Sequence, residues 1–103
     1  MSEMSKNFQK AFSITSYDLN LAISLYTKEI DEIDPNNFAA WNNRGYCKVL
    51  KAIKTKEVSL LDDAESDFKK AIELAKEYTE DKRFPGAEDN IAWAKKVRDS
   101  LGG

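Results

Sequence analysis

The side chains best suited to chemistry are few, and most of them stand in runs. Asp62, Asp63, Glu65 and Asp67 crowd one short stretch. A carboxylate cation site needs oxygen donors converging from a loop or from several elements. Acids confined to one segment read instead as the opening turns of a helix, where they face the positive end of its dipole. Lys48, Lys51, Lys54 and Lys56 form a series that reads as a solvated face rather than an anion site. Asp31, Glu32 and Asp34, just before Pro35, read as a solvated turn. Cys47 is the single cysteine, and the chain has no histidine. With no imidazole to activate it, the thiol reads as a packing group. The missing histidine also removes the commonest general base and the commonest metal ligand. No nucleophile–base pair remains, so the chain is expected not to be an enzyme. Catalytic residues, metal and cofactor are each read as none.

Charge and composition narrow the partners. The 103 residues carry 16 basic and 18 acidic side chains, a formal charge of −2. No large positive field is present to attract nucleic acid or an anionic membrane. Apolar residues make up 42% and charged residues 33%, too apolar a mix for a disordered chain. One domain spanning 1–103 is expected. The start lacks the apolar core of a leader peptide, and no run approaches the ~20 apolar residues of a membrane-crossing helix. A lone cysteine suits a reducing compartment, so the expected location is cytoplasmic.

The elements that must position these residues are helical. Two prolines and four glycines leave few breakers among abundant Lys, Glu, Ala and Leu. Five helices are expected. The first covers about 3–13, with Met4, Phe8, Ala11 and Phe12 on one face. The second follows the capping pair Thr15 and Asp18 and runs to about Ile33, with Leu19, Ala22, Ile23, Tyr26, Ile30 and Ile33 as its stripe. Asp34-Pro35 breaks it. Asn36 or Asn37 caps the third, which runs to about Lys54 and carries two stripes. One is Phe38, Trp41, Gly45, Val49 and Ala52; the other is Tyr46, Leu50 and Ile53. Such a helix should pack between two neighbours. Ser59 with Asp62 is the next capping pair, opening a helix with Leu61, Ala64, Phe68, Ala71, Ala75 and Tyr78 inward. A loop over Glu80–Gly86, marked by Pro85-Gly86, leads to a last helix at about 87–101 with Ile91, Ala94, Val97, Leu101 and Trp93, ended by Gly102-Gly103.

Trp41, Gly45, Ala64, Phe68 and Ala71, together with Ala22, Tyr26 and the junction Asp34-Pro35-Asn36-Asn37, resemble the tetratricopeptide repeat. Its pattern runs W-x2-L-G-x2-Y, then A-x3-F-x2-A, then P. The resemblance covers 17–79. It implies an all-α fold of antiparallel hairpins stacked in a short right-handed array: a partial unit over 1–34, an elongated unit over 35–79, and a loop with a capping helix over 80–103. Departures are visible. Ala22 to Ala64 spans 42 residues, about eight more than the usual repeat of roughly 34. One extra residue precedes Pro35, and seven lie between Gly45 and Ala64, lengthening each helix by about one turn. Arg44, Lys48 and Glu29 stand where Leu, Tyr and a small residue are usual.

The resemblance also implies function. Leading helices of such repeats line a concave groove that holds a peptide or partner helix, which places Ala39, Asn42, Asn43, Tyr46 and Leu50 on the binding face. Asparagine amides can donate to and accept from a backbone, and Tyr46 offers a rigid amphipathic surface. The bland reading has Asn42 and Asn43 solvated while Tyr46 and Leu50 pack on a neighbouring unit. Asn43 also matches the asparagine with which chaperone-binding members hold a C-terminal carboxylate. Their clamp needs further basic residues from flanking units, which Lys10, Lys95, Lys96 and Arg98 do not match. The Leu101-Gly102-Gly103 ending resembles the tail of ubiquitin-like modifiers, but no alternating strand pattern accompanies it. The expected function is a non-catalytic protein–protein interaction module or adaptor. The alternatives are a structural subunit forming a homodimer through its repeat faces, and an enzyme of unknown type.

Overall fold

The computed structural model describes residues 18–80 and 83–102. Their secondary structure is helical throughout, with no strand among the described residues, and four helices joined by short turns pack against one another. The helix expected over 3–13 and the capping residue Thr15 lie outside the described residues.

Helix α1 spans Leu19–Lys28. Asp18 caps it: its carboxylate accepts from the Leu21 N–H at 3.0 Å, satisfying one of the first-turn donors. The helix does not run on regularly to Ile33. Glu29–Ile33 forms a π-helical turn that buries Glu29 and Ile30. A π turn holds more residues per turn than an α turn. It therefore holds five residues, Glu29–Ile33, between α1 and Asp34 without breaking the chain. Asp34 then turns extended, at φ −148°, as the residue before a proline must.

Asn37, rather than Asn36, caps α2 (Phe38–Thr55) by accepting from the Ala40 N–H at 3.1 Å. Its amide also donates to Glu29 Oε2 at 3.2 Å. One side chain thus starts α2 and fixes it to the π turn. Trp41 adds a second tie, its indole N–H donating to the Pro35 carbonyl at 2.9 Å.

Helix α2 ends at Lys56, which takes the left-handed conformation at φ 63°. Helix α3 (Ser59–Tyr78) follows at once. Ser59 lies inside it, with Val58 at the N-cap and no side-chain cap. The expected Ser59–Asp62 capping pair does not form, because Ser59 is already helical; Asp62 accepts from Arg98 across the helix interface. Helix α4 covers Pro85–Ser100, with Pro85 at its first position. Pro85-Gly86 therefore opens a helix rather than marking a loop. A proline at the first position has its φ preset and gives up only an N–H that no helical carbonyl would have taken. Gly102, at φ 85°, ends α4 in a backbone region open to glycine.

The α2–α3 hairpin is the centre of the molecule. Gly45 meets Phe68 so closely that an added Cβ would stand 2.6 Å from the ring and 3.0 Å from the Ala64 carbonyl. Val49, Ala52, Leu61, Ala64, Phe68 and Ala71 are fully buried in one cluster, joined by Ala87, Ala94 and Val97 of α4. Full burial of Phe68 or Leu61 contributes about 1.5–3 kcal/mol each. The second apolar stripe of α2 is only partly covered: Tyr46 is 41% and Ile53 44% exposed, although Tyr46 meets Trp93 of α4. Ala40 and Cys47 are what face α1, in a cluster with Ala22, Tyr26 and Ile30. Short side chains at these two positions let the bulk of Tyr26 fit between the helices.

Candidate partner-binding face

Ala39, Asn42, Asn43, Tyr46 and Leu50 recur three and four residues apart along α2, which puts them on one side of the helix. Their surroundings differ. Ala39 is half-buried and packs against the α1 cluster. Asn42 is half-buried, and its side-chain oxygen accepts from the Asn90 amide of α4 at 3.0 Å. Asn43 and Leu50 are also half-buried. The Tyr46 ring lies against the Trp93 ring of α4, with centroids 5.2 Å apart and planes tilted by 36°.

The contacts between α2 and α4 climb both helices together. Phe38 meets Phe84 edge to face at 5.6 Å, then Asn42 meets Asn90, and Tyr46 meets Trp93. The two helices therefore run parallel, with α3 behind them, and a shared outer face results. Asparagines stand toward its N-terminal end and aromatic rings one turn further on.

The chain finds no match among family models, curated proteins or solved structures.

Asn90 and Trp93 belong to this face and were not assigned to it from sequence. Trp93 was recognisable as an aromatic beside the last helix's stripe. Its pairing with Tyr46 depends on how α4 crosses α2, for which no spacing along the chain gives a signal.

The opposite side of α2 holds the most concentrated charge. Arg44 grips Asp67 with two hydrogen bonds, Nε to Oδ2 at 3.0 Å and Nη2 to Oδ1 at 2.8 Å. Lys48 reaches the same carboxylate at 3.0 Å. Arg44 also donates to the Thr27 hydroxyl of α1 at 3.2 Å and lies over the Trp41 ring at 4.9 Å. Asp67 is only 3% exposed. Lys48 thus leaves the solvated lysine series, and Asp67 does not serve the dipole of its own helix. Both correct the sequence reading, and the cause is the same: α2 and α3 cross where these groups meet. Arg44 and Lys48 thus hold one shared acid.

Asp62 and Glu65 serve another contact, gripping Arg98 of α4 at 2.7 and 3.5 Å. The Arg98 guanidinium is held above its ordinary range, first by its hydrogen bond to Asp62. Asp31, Glu32 and Asp34 are exposed, as a solvated turn requires. Cys47 is fully buried. Among the described residues no group of three or more Cys, Asp or Glu side chains could hold a metal ion. No helix among them is long and apolar enough to cross a membrane. A shallow depression lined by Asp18, Leu19, Asn20, Lys51, Lys54 and Thr55 sits where α1 begins beside the end of α2, apart from the residues of the candidate face.

Proposed function

We propose that this chain is a short tetratricopeptide-like array acting as a non-catalytic interaction module, with the α2 face docking a peptide or helix of another protein. The observation that carries the reading is the half-exposed Tyr46–Trp93 pair flanked by asparagines along two parallel helices. Partner surfaces commonly concentrate binding on such rigid aromatic anchors, with polar groups around them. Three features support the repeat reading. Gly45 lies tight against Phe68 and the Ala64 carbonyl across the hairpin. The π turn falls where one residue exceeds the family pattern. Helices of 18 and 20 residues accommodate the seven added between Gly45 and Ala64.

Affinity capture with the wild-type chain and with Tyr46→Ala and Asn43→Ala variants tests the reading. Proteins retained by the wild type and lost from the Tyr46 variant support it. Identical retention by all three, with unchanged helicity, overturns it. The second reading, self-association, draws on Leu21, Ile33, Ile53 and Tyr78, which are 40–54% exposed. Sedimentation equilibrium separates the two: a dimer that survives high salt and is lost in Ile53→Lys favours the structural subunit.

A further inference from the structure

Arg44 joins three helices. Its Nε and Nη2 hold the Asp67 carboxylate of α3 at 3.0 and 2.8 Å, and its Nη1 donates to the Thr27 hydroxyl of α1 at 3.2 Å. Thr27 in turn donates to the Ile23 carbonyl at 2.8 Å, so Arg44 meets the lone pairs of the hydroxyl. A directed chain thus runs from Asp67 through Arg44 and Thr27 into the backbone of α1. Apolar packing takes a different route. Ala22, Tyr26 and Ile30, from α1 and the π turn, form their core cluster with Ala40 and Cys47 of α2. Helices α2, α3 and α4 share the other cluster. Among the described residues Trp41 alone borders both, and the Arg44 guanidinium lies over its ring.

We infer that Asp67 governs the docking of α1 through Arg44, and that α1 with its π turn opens as a unit when this relay is broken. The device is independent of what the α2 face binds. An arginine stem has many rotamers, and ordering it for a single hydrogen bond gains little. Asp67 removes that cost. Two bonds from one guanidinium to one carboxylate fix the plane of the fork, and the plane fixes where Nη1 points. Arg44 therefore meets Thr27 already ordered. Asp67 is only 3% exposed, so water scarcely competes for the fork. Lys48 reaches the same acid at 3.0 Å, but an ammonium on a flexible stem transmits no orientation. Opening α1 breaks the cluster it shares with α2 and leaves the α2–α3–α4 cluster closed, which is the kind of separable unit that opens below global unfolding. Thr27–Arg44 and Glu29–Asn37 both tie the unit to α2, and the first of these depends on an acid two helices away.

Amide hydrogen exchange on the full chain, read by mass spectrometry, follows the two clusters separately. Thr27→Val keeps the side-chain shape and removes the hydroxyl. It is expected to speed exchange over 19–30 about tenfold, the loss of one hydrogen bond to a charged group, with 59–78 unchanged. Asp67→Asn is expected to speed 19–30 by at least as much. Adding Thr27→Val to Asp67→Asn should then change 19–30 by less than about twofold, the mark of coupled sites in a double-mutant cycle. That coupling would join two residues that each bind Arg44 rather than each other. An Asp67 that matters only for general stability gives another pattern: 59–78 and 85–100 speed up as much as 19–30, and Thr27→Val keeps its full effect in the Asp67→Asn background. That pattern overturns the inference, as does unchanged exchange over 19–30 in Thr27→Val. Arg44→Lys keeps the inference testable if Asp67→Asn does not fold. It retains an ion pair with Asp67 but loses the fork, so it should open 19–30 as far as Thr27→Val does. Wild-type exchange over 19–30 in Arg44→Lys overturns the relay.

Discussion

Asp67 meets two cations in a place that water scarcely reaches, and that arrangement governs what its replacement costs. Removing the acid leaves Arg44 and Lys48 facing each other with their shared counter-charge gone. Breaking a buried pair from one side costs about 3–5 kcal/mol, whereas replacing all the charges by apolar groups of similar volume is often neutral. Asp67→Ala is therefore expected to lower stability by about 3 kcal/mol in urea unfolding. The triple variant Asp67→Leu, Arg44→Met, Lys48→Met is expected to recover most of that loss. Equal destabilisation of the single and triple variants would show that packing, not charge, makes the site. A milder residue-scale contrast lies at the start of α2. Asn37→Ala removes a cap and should cost about 1 kcal/mol, while Asn36→Ala at the exposed neighbouring position should change stability by less than about 0.5 kcal/mol. Thermal unfolding followed by circular dichroism decides which asparagine starts the helix.

At the scale of elements, the α2–α3 hairpin depends on a missing methyl group. A Cβ at Gly45 would press on the Phe68 ring and the Ala64 carbonyl, and Phe68 is fully buried. Neither obstacle can easily withdraw. Alanine gains about 1 kcal/mol of helix propensity over glycine, but overpacking costs about 1–3 kcal/mol. Gly45→Ala is expected to be net destabilising, and Phe68→Leu in the same chain to relieve part of the strain. The double variant should then be more stable than the sum of its two single changes, a coupling that a double-mutant cycle measures. Much of this level was legible in the sequence. The stripe from Phe38 to Ala52 and the small residues at 45 and 64 follow from the 3.6-residue period and from size alone. The destination of Arg44 was not legible, because its partner lies 23 residues away on another helix. The start of α4 was misread for a local reason: Pro85-Gly86 is compatible with a loop and with a helix's first turn, and here the Phe84 carbonyl accepts from Ala87 and Glu88 to begin the helix.

The whole molecule is a succession of antiparallel neighbours in which α4 shares one core cluster with the hairpin. Ala87 and Ala94 are fully buried against the central cluster, and Arg98 adds charged contacts to α3. Ala94→Leu is expected to push α4 away while leaving α2 and α3 paired. In a Trp41→Phe background, acrylamide quenching of Trp93 should rise in that variant with little loss of helicity. Full cooperative unfolding instead would mean that α4 is integral to the core. The exposed face belongs to this scale too, since Tyr46 and Trp93 form one surface only when α4 is docked. Undocking α4 should therefore abolish peptide binding even though every α2 residue is intact.

Sequence alone determined the helical content, the break at Asp34-Pro35, the cap among the asparagines after it, the terminator at Gly102 and the α2 stripe that meets α3. These depend on backbone sterics and on contacts within a turn or two, which neighbouring residues settle among themselves. Tertiary structure decided which acid Arg44 and Lys48 share, how much of the Tyr46–Ile53 stripe stays exposed, and that Asn90 and Trp93 complete the face begun by Asn42 and Tyr46. Those outcomes depend on the angle and register at which whole helices cross, a sum over many packing contacts that no single spacing along the chain records.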